Sequence, residues 1–197
     1  MTDPTPNDQV MADAPVGGRR FSRLAAVVVA VVVVALVAVL ATRAPSSERQ
    51  TRSRLLGRIA PATAGRTLDG GSVDIDDFRG RWVMVNFFAS WCVPCLSEHP
   101  ELKAFDEEHE GKGDAVLIGV TYDNKAEDAK AFFAQRRGSW PVIDDPDNSI
   151  AVAYGMARVP ETFVIAPNGI VVQRFAGEVT KEELDAVIDE FERGGDR

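Results

Sequence analysis

The sequence WVMVNFFASWCVPC at residues 82–95 joins an apolar run to the only two cysteines of the chain, Cys92 and Cys95. The run 82–88 predicts a buried strand, and the segment 96–110 predicts a helix because its apolar residues recur at helical spacing. The pair therefore lies at a strand-to-helix turn. A disulfide between cysteines so close in sequence closes a short loop, which stabilises a fold little through chain entropy. This arrangement predicts a reversible disulfide rather than a structural one.

The start of the predicted helix favours a thiolate. Main-chain N–H groups lack intrahelical partners there, and the positive end of the helix dipole lies close by. A cysteine in such a setting can have its pKa lowered to roughly 3.5–7.5, from about 8.5 for a free thiol. We expect Cys92 to be the more exposed thiol and the nucleophile, and Cys95 to resolve the mixed disulfide. Pro94 fits the first helical turn because its missing N–H would be unpaired there.

Metal binding is the main alternative use of the two cysteines. A zinc site needs about four N, S or O ligands. Cys92, Cys95 and His99 supply three, and neither His109 nor Glu98 is an obvious fourth. Copper is a soft metal that suits two thiolates and an imidazole. We rank both metals below a redox pair and predict that the protein needs no metal and no cofactor.

The chain divides by composition into segments of different character. We predict a disordered tail at 1–23, a transmembrane signal-anchor at 24–41, a linker at 42–58, one globular domain at 59–192 and a flexible C-terminus at 193–197. Residues 24–41 are an unbroken run of Ala, Val and Leu, which as a helix can nearly cross a hydrocarbon core of about 30 Å. The net charge of −8 argues against nucleic-acid binding, which depends on Lys and Arg.

The length and the flanking charges of the apolar run bear on where the domain lies. The run is longer than the roughly 7–15 apolar residues of a cleaved signal, which favours an anchor, although Ala-rich sequence near 39–44 keeps cleavage as the alternative. Three arginines precede the run and five follow it up to residue 58, so a charge count alone would place the domain in the cytoplasm. We nevertheless predict an extracytoplasmic domain on a single-pass cell-membrane protein, because long domains translocate largely regardless of charge and disulfides persist outside the cytoplasm.

Strand and helix patterns alternate through the globular domain. A Gly-Gly turn at 70–71 predicts an N-terminal hairpin, and an Asn-Gly turn at 168–169 predicts a closing one. Between them we predict a strand at 115–121 and helices at 127–137 and 147–154, and a last helix begins at the capping box of Thr180 and Glu183. This order predicts an α/β fold with parallel central strands. Active sites in such sheets lie beyond the carboxyl ends of the strands, where Cys92 falls.

Five segments over most of residues 60–192 carry a resemblance to a known family: GRWVMVNFFASWCVPC at 80–95, LSEHP at 96–100, GVTYDN at 119–124, WPVIDDP at 140–146 and VPETF at 159–163. They resemble the TlpA/ResA/DsbE group of membrane-anchored thiol–disulfide oxidoreductases in the thioredoxin superfamily. The resemblance implies a thioredoxin-like fold, with a mixed central sheet flanked by helices, an N-terminal β-hairpin and a central insert at about 123–158. Arg158 departs from the group, in which small residues are common two positions before the proline.

The resemblance also implies roles for residues around the cysteine pair. It implies a cis peptide bond before Pro160, facing the cysteines, although a proline that starts an edge strand is ordinarily trans. The Val159–Pro160 step would then offer main-chain groups to an extended substrate. We expect Trp91, Pro94 and Glu161 to contribute further to substrate binding.

The same resemblance brings a carboxylate into the expected mechanism. It implies that Glu98, one turn beyond Cys95, lies near the thiols, where it would raise their pKa values by repulsion or carry a proton to a leaving thiolate. A solvated helix carboxylate is the alternative, and Glu161 is a second candidate for the role. We expect His99 to pack partly buried and His109 to lie on the surface.

The resemblance implies a reductive reaction on protein disulfides, with apocytochrome c thiols as the expected substrate and a membrane thiol transporter as the expected electron donor. Three alternatives stay open at this point. A general extracytoplasmic oxidant or isomerase would share every motif, a copper metallochaperone would hold metal on the two cysteines, and a thiol peroxidase would use Cys92 alone.

Overall fold

The computed structural model describes residues 29, 31–33 and 53–195. The chain divides into two compact units, residues 1–46 and 47–197. In the first unit the described residues 29 and 31–33 are helical. Among the described residues, no helix is long and apolar enough to cross a membrane. The predicted tail and most of the predicted anchor and linker lie outside the described residues, so these remain predictions.

The second unit contains seven strands and four helices within its described part. In chain order they are β1 (Ala64–Arg66), β2 (Ser72–Asp74), β3 (Trp82–Phe88), α1 (Val93–Lys112), β4 (Ala115–Thr121), α2 (Ala126–Arg136), β5 (Val142–Ile143), α3 (Ser149–Ala153), β6 (Glu161–Ile165), β7 (Val171–Ala176) and α4 (Lys181–Gly195). A short 3₁₀ turn, Ile75–Phe78, follows β2.

The central sheet is mixed, as the resemblance implies. Its five strands lie in the order β5-β4-β3-β6-β7. Strand β3 pairs in parallel with β4 and antiparallel with β6, and β7 pairs antiparallel with β6. Strand β5 has only two residues, which is too short for a periodic signal, and the sequence patterns did not predict it. The predicted N-terminal hairpin is confirmed as β1 and β2, a separate antiparallel pair.

Apolar side chains cover both faces of this sheet because successive strand residues point to opposite sides. Met84 and Phe88 of β3 pack in a core cluster with residues from α1, α2 and α4. Val85 and Phe87 point the other way, into a second cluster with residues of α3. Three helices therefore cover one face and α3 covers the other.

Both ends of the domain differ from the predicted bounds. Residues 53–58, predicted as linker, form hydrogen-bonded turns, and Gly57 N–H donates to Val171 O at 2.9 Å while Val171 N–H donates to Arg58 O at 2.9 Å. These bonds attach the segment to the start of β7. At the other end α4 continues to Gly195, beyond residue 193 where we expected flexible chain. The predicted capping box is present, since Thr180 N–H donates to Glu183 Oε2 at 2.9 Å and Glu183 N–H to Thr180 Oγ1 at 3.2 Å.

Candidate functional site: a disulfide at a helix start

The cysteine pair lies at the start of α1, just beyond the carboxyl end of β3. Cys92 is the N-cap residue of α1, and Pro94 occupies the first turn as predicted. Cys92 and Cys95 are joined by a disulfide with their Cα atoms 5.3 Å apart. The main-chain N–H of Cys95 donates to Cys92 Sγ at 3.2 Å. After reduction the same N–H would favour a thiolate on Cys92, because a helix start stabilises negative charge.

The exposure of the two sulfur-bearing residues differs from our expectation. Cys92 is 4% exposed and Cys95 2%, so Cys92 is not clearly the more accessible residue while the disulfide is closed. The accessible surface beside the pair comes from its neighbours, since Trp91 is 59% and Val93 69% exposed. Trp91 is held by a hydrogen bond from Nε1 to Asp123 O at 2.9 Å.

Glu98 is buried on the same helix as the disulfide. It is 2% exposed, and residues three apart on a helix share a face, which places it one turn beyond Cys95. Asn86 Nδ2 donates to Glu98 Oε1 at 3.0 Å, and Val179 N–H donates to Oε2 at 3.3 Å. Burial raises the pKa of Glu98 from 4.5 to about 8, although the bonds from Asn86 and Val179 act to lower it. The alternative of a solvated carboxylate is therefore wrong for Glu98.

Asn86 connects this carboxyl to the neighbouring strand, and our sequence reasoning did not single it out. Besides its bond to Glu98, Asn86 Nδ2 donates to Thr162 Oγ1 at 2.9 Å. Asn86 is 2% exposed in a strand whose other residues are all apolar. A lone amide in a buried apolar run is the signal that could have identified it, because a buried polar group needs a partner.

The peptide bond between Val159 and Pro160 is cis, as the resemblance implies. Pro160 is buried and Val159 partly buried. Pro160 O accepts the N–H of Gly177 at 2.9 Å. Within the described part of the chain the main-chain N–H and C=O of Val159 have no hydrogen-bond partner. Nearby, Arg158 is exposed and its side chain forms no ion pair with any described residue.

The side chain of Glu161 points away from Glu98. It is 1% exposed, and Arg174 binds it with Nε to Oε2 at 3.0 Å and Nη2 to Oε1 at 2.7 Å. Successive residues of a strand point to opposite faces of the sheet. Glu161 therefore points to the same face as Phe163, whereas Thr162 points to the opposite face, toward Asn86. The structure therefore does not bring the two candidate carboxylates together. Because the side chain of Glu161 is committed to Arg174, its predicted substrate contact would have to come from the main chain.

The two histidines lie in different surroundings. His99 is 4% exposed and packs against the rings of Phe132, Phe133 and Trp140, as a packing residue should. Its burial lowers its pKa. The expected surface position of His109 is wrong, because this residue is 5% exposed.

His109 is buried because two carboxylates and a ring enclose it. Its Nδ1 lies 2.8 Å from Asp114 Oδ1, and its Nε2 lies 3.0 Å from Asp185 Oδ1. Phe105 stacks on the ring with the centroids 4.2 Å apart. These contacts join α1 to the start of β4 and to α4. Among the described residues no group of three or more His, Cys, Asp and Glu side chains is arranged to hold a metal ion.

The comparisons with known proteins agree with this geometry. The family model described as Redoxin matches residues 55–188. The thiol-disulfide oxidoreductase ResA of Bacillus thuringiensis is 32% identical over 130 residues, which are 66% of this chain and 75% of ResA. The thiol:disulfide interchange protein HelX of Rhodobacter capsulatus is 34% identical over 139 residues, covering 68% and 76%.

A solved structure is similar over the same region. The thioredoxin domain of a thiol-disulfide oxidoreductase from Bacteroides vulgatus matches with a TM-score of 0.60 and 27% identity, over 69% of this chain and 96% of that one. The matched region contains the strand-to-helix turn with its Cys92–Cys95 disulfide. The chain therefore belongs to the Redoxin family, as a thioredoxin-like thiol–disulfide oxidoreductase related to the TlpA/ResA/DsbE group.

Proposed function

We propose that this oxidoreductase reduces protein disulfides on the extracytoplasmic side of the cell membrane, and that its substrate is the cysteine pair of apocytochrome c before haem attachment. The observation that carries the exchange reaction is the Cys92–Cys95 disulfide at the start of α1. The buried Glu98 lies one turn beyond Cys95, and burial raises its pKa to about 8, which provides a group for proton transfer. Proton transfer is efficient between groups with similar pKa values, so a carboxyl with a pKa close to that of a thiol can exchange a proton with a cysteine. The similarity to ResA and HelX, a thiol-disulfide oxidoreductase and a thiol:disulfide interchange protein, supports protein thiols and disulfides as the substrate class.

The first step is attack by Cys92. Its sulfur accepts the N–H of Cys95 in the disulfide form, and the same N–H would stabilise the thiolate after reduction. The thiolate attacks one sulfur of the substrate disulfide and forms a mixed disulfide. The substrate's S–S bond breaks, and its other sulfur leaves as a thiolate that takes a proton from solvent. The exposed Trp91 and Val93 provide the surface on which the substrate rests.

The second step needs a deprotonated Cys95. Glu98 in its carboxylate form accepts the Cys95 proton, and the Cys95 thiolate attacks Cys92 Sγ. The enzyme disulfide forms, the mixed disulfide breaks, and the substrate leaves with its second thiolate, which is then protonated. Two electrons have passed from the enzyme to the substrate. When a donor dithiol reduces the enzyme again, protonated Glu98 returns a proton to the leaving Cys95 thiolate.

Main-chain pairing beside Pro160 accounts for substrate docking. Val159 keeps an unpaired main-chain N–H and C=O among the described residues, next to a proline that the cis bond holds in place. An extended substrate segment can pair with these two main-chain groups of Val159 by strand-type hydrogen bonds. Main-chain hydrogen bonds depend little on the side chains of the substrate. The surface formed by Trp91 and Arg158 therefore supplies the selectivity between substrates.

The membrane anchor at 24–41 belongs to the same proposal. An anchor would hold the domain close to a membrane thiol transporter and raise the effective concentration of the two dithiol partners. A membrane-impermeant thiol reagent applied to intact cells tests this placement. The reagent should label the reduced cysteine pair, and a lack of labelling would place the domain in the cytoplasm.

A peptide assay tests the reaction and its substrate. The reduced full chain, in a nonionic detergent, is mixed with a disulfide-closed Cys-x-x-Cys-His peptide, the sequence pattern of haem attachment, and peptide thiols are counted by mass spectrometry. We expect Cys92→Ser to abolish the reaction and Cys95→Ser to stop it at the mixed disulfide. Glu98→Gln should slow the second step, so that the mixed disulfide accumulates transiently.

The control is a peptide of the same length with the cysteines separated differently and no histidine. Faster reduction of the haem-attachment peptide supports the proposed substrate. Equal rates would contradict apocytochrome c as the substrate class while leaving the oxidoreductase activity intact. A Glu98→Gln variant that resolves the mixed disulfide at the normal rate would remove Glu98 from the mechanism.

A further inference from the structure

A basic cavity lies on the face of the sheet covered by α3. Its volume is about 400 Å³, within the range of about 300–1,000 Å³ typical of small-ligand pockets. Arg54, Arg58 and Arg174 line it, together with Ser53 and Val152, and no Asp or Glu is among its lining residues. Three arginines in one cavity are unexpected in a chain with a net charge of −8.

The chain fold brings these arginines together from distant positions. The hydrogen bonds between residues 57–58 and Val171 attach the segment that carries Arg58 to the start of β7, and Arg174 lies further along the same strand. The Nε and Nη2 atoms of Arg174 bind Glu161, so its positive charge is compensated, and its Nη1 has no hydrogen-bond partner among the described residues. Arg54 and Arg58 are exposed, and their side chains have no partner among the described residues.

Other groups at the cavity suit an anion. Ser53 Oγ accepts the N–H of Leu55 at 3.1 Å, which leaves its hydroxyl hydrogen free to donate. Helix α3 ends at the cavity, and carbonyls at a helix end would repel an anion. The carbonyls of Ile150, Ala151 and Val152 are already bound by main-chain N–H groups of residues 154–156, which weakens that repulsion.

Part of the cavity lining is apolar. Val152, which is 74% exposed, and the partly buried Leu55 line it beside the arginines. Guanidinium groups bind phosphate through paired hydrogen bonds. A ligand that combines a phosphate with apolar chains would satisfy both the arginines and the apolar part of the lining.

We propose that the Arg54–Arg58–Arg174 cavity binds the phosphate of an anionic phospholipid headgroup, with Val152 and Leu55 against the start of the acyl chains. The cavity lies on the sheet face opposite the one that Glu98 and Asn86 occupy. Binding there is a separate property from disulfide exchange, and the inference does not depend on the proposed substrate.

Calorimetric titration of the full chain in a nonionic detergent, at constant ionic strength, tests the inference. The probes are inorganic phosphate, dihexanoylphosphatidylglycerol and dihexanoylphosphatidylcholine, the last carrying a cation that the arginines should repel. We expect the phosphatidylglycerol to bind more tightly than inorganic phosphate or the phosphatidylcholine. The Arg54→Gln/Arg58→Gln variant should lose at least about tenfold in affinity, since two charge-assisted hydrogen-bond donors are removed.

The matched control is Arg66→Gln/Arg136→Gln, which removes the same charge from exposed positions outside the cavity. Both double variants should exchange disulfides with a small-molecule disulfide at the normal rate, which shows that they are folded. Inorganic phosphate binding as tightly as the phosphatidylglycerol would overturn the lipid headgroup as the source. No binding of any probe, or an equal loss in both double variants, would overturn the cavity as a phosphate site.

Discussion

The buried carboxyl of Glu98 makes stability depend on pH, and Glu98→Gln should remove that dependence. Burial raises the pKa of Glu98 from 4.5 to about 8 in the folded protein. A carboxyl with a raised pKa in the folded state holds its proton there and loses it on unfolding. Its contribution to stability is therefore fully present below about pH 4.5 and is lost as the pH rises through about 8.

The size of the effect follows from the same pKa values. At about 1.36 kcal/mol for each pH unit, moving the pKa from 4.5 to about 8 corresponds to roughly 5 kcal/mol of unfolding free energy between acidic and alkaline pH. Glutamine cannot ionise, so the variant should be the more stable protein at pH 9. At pH 5 it should be less stable by about 1 kcal/mol, because its amide nitrogen cannot accept the Val179 N–H as Oε2 does.

Urea unfolding of the oxidised full chain in a nonionic detergent measures how the unfolding free energy changes with pH. The signal is the fluorescence of the buried Trp82 and Trp140. The oxidised form is used because its cysteines do not titrate. The control is Glu107→Gln, an exposed carboxyl on the same helix, which should keep the normal slope. If the unfolding free energies of Glu98→Gln and the unchanged protein run parallel from pH 5 to 9, the reasoning about the buried carboxyl is refuted.

Three further substitutions test the buried polar contacts. Arg174→Met should lower the unfolding free energy by about 3–5 kcal/mol, because it leaves Glu161 buried and unpaired, and urea unfolding measures the loss. His109→Gln should cost about 1–3 kcal/mol, because at least one of the two aspartates that it contacts loses its partner, and thermal unfolding detects this. Asn86→Leu removes a hydrogen bond that lowers the pKa of Glu98, so that pKa should rise. The unfolding free energy should then keep falling to a higher pH than in the unchanged protein, which urea unfolding at a series of pH values measures.

The first two of these substitutions each have a matched control. Arg66→Met at an exposed arginine and Glu110→Gln beside His109 should change stability by less than about 0.5 kcal/mol. Replacing Glu161 and Arg174 together by Met should recover most of the loss seen for Arg174→Met. A double variant as unstable as the single one would mean that the cost comes from packing rather than from an unpaired charge.

The bounds of the elements that contain a long apolar run were predicted closely from the sequence. The central strands at 82–88 and 115–121 have the bounds that the apolar runs indicate, because a strand buried on both faces is apolar throughout. Helix α1 extends beyond the predicted 96–110 at both ends, from Val93 to Lys112. It begins early because proline is tolerated in the first turn, and it stops at Gly113, whose φ of 72° suits the left-handed region.

Contacts between distant residues account for what the sequence did not reveal. His109 is buried because Asp114 and Asp185 both reach it, and Asp185 lies on a helix far along the chain. The pairing of Glu161 with Arg174 depends on the register between β6 and β7. Sequence patterns along one element report which face is apolar, but they do not report which polar residues will meet across elements.

The reduction potential of the Cys92–Cys95 pair tests the central claim most directly. The protein is equilibrated in glutathione or dithiothreitol buffers of known potential, and the oxidised fraction is measured by thiol alkylation and mass spectrometry. A protein that reduces disulfides should have a potential near that of thioredoxin, about −270 mV. A value near −120 mV, where a strong oxidant such as DsbA lies, would contradict the proposed reductive direction.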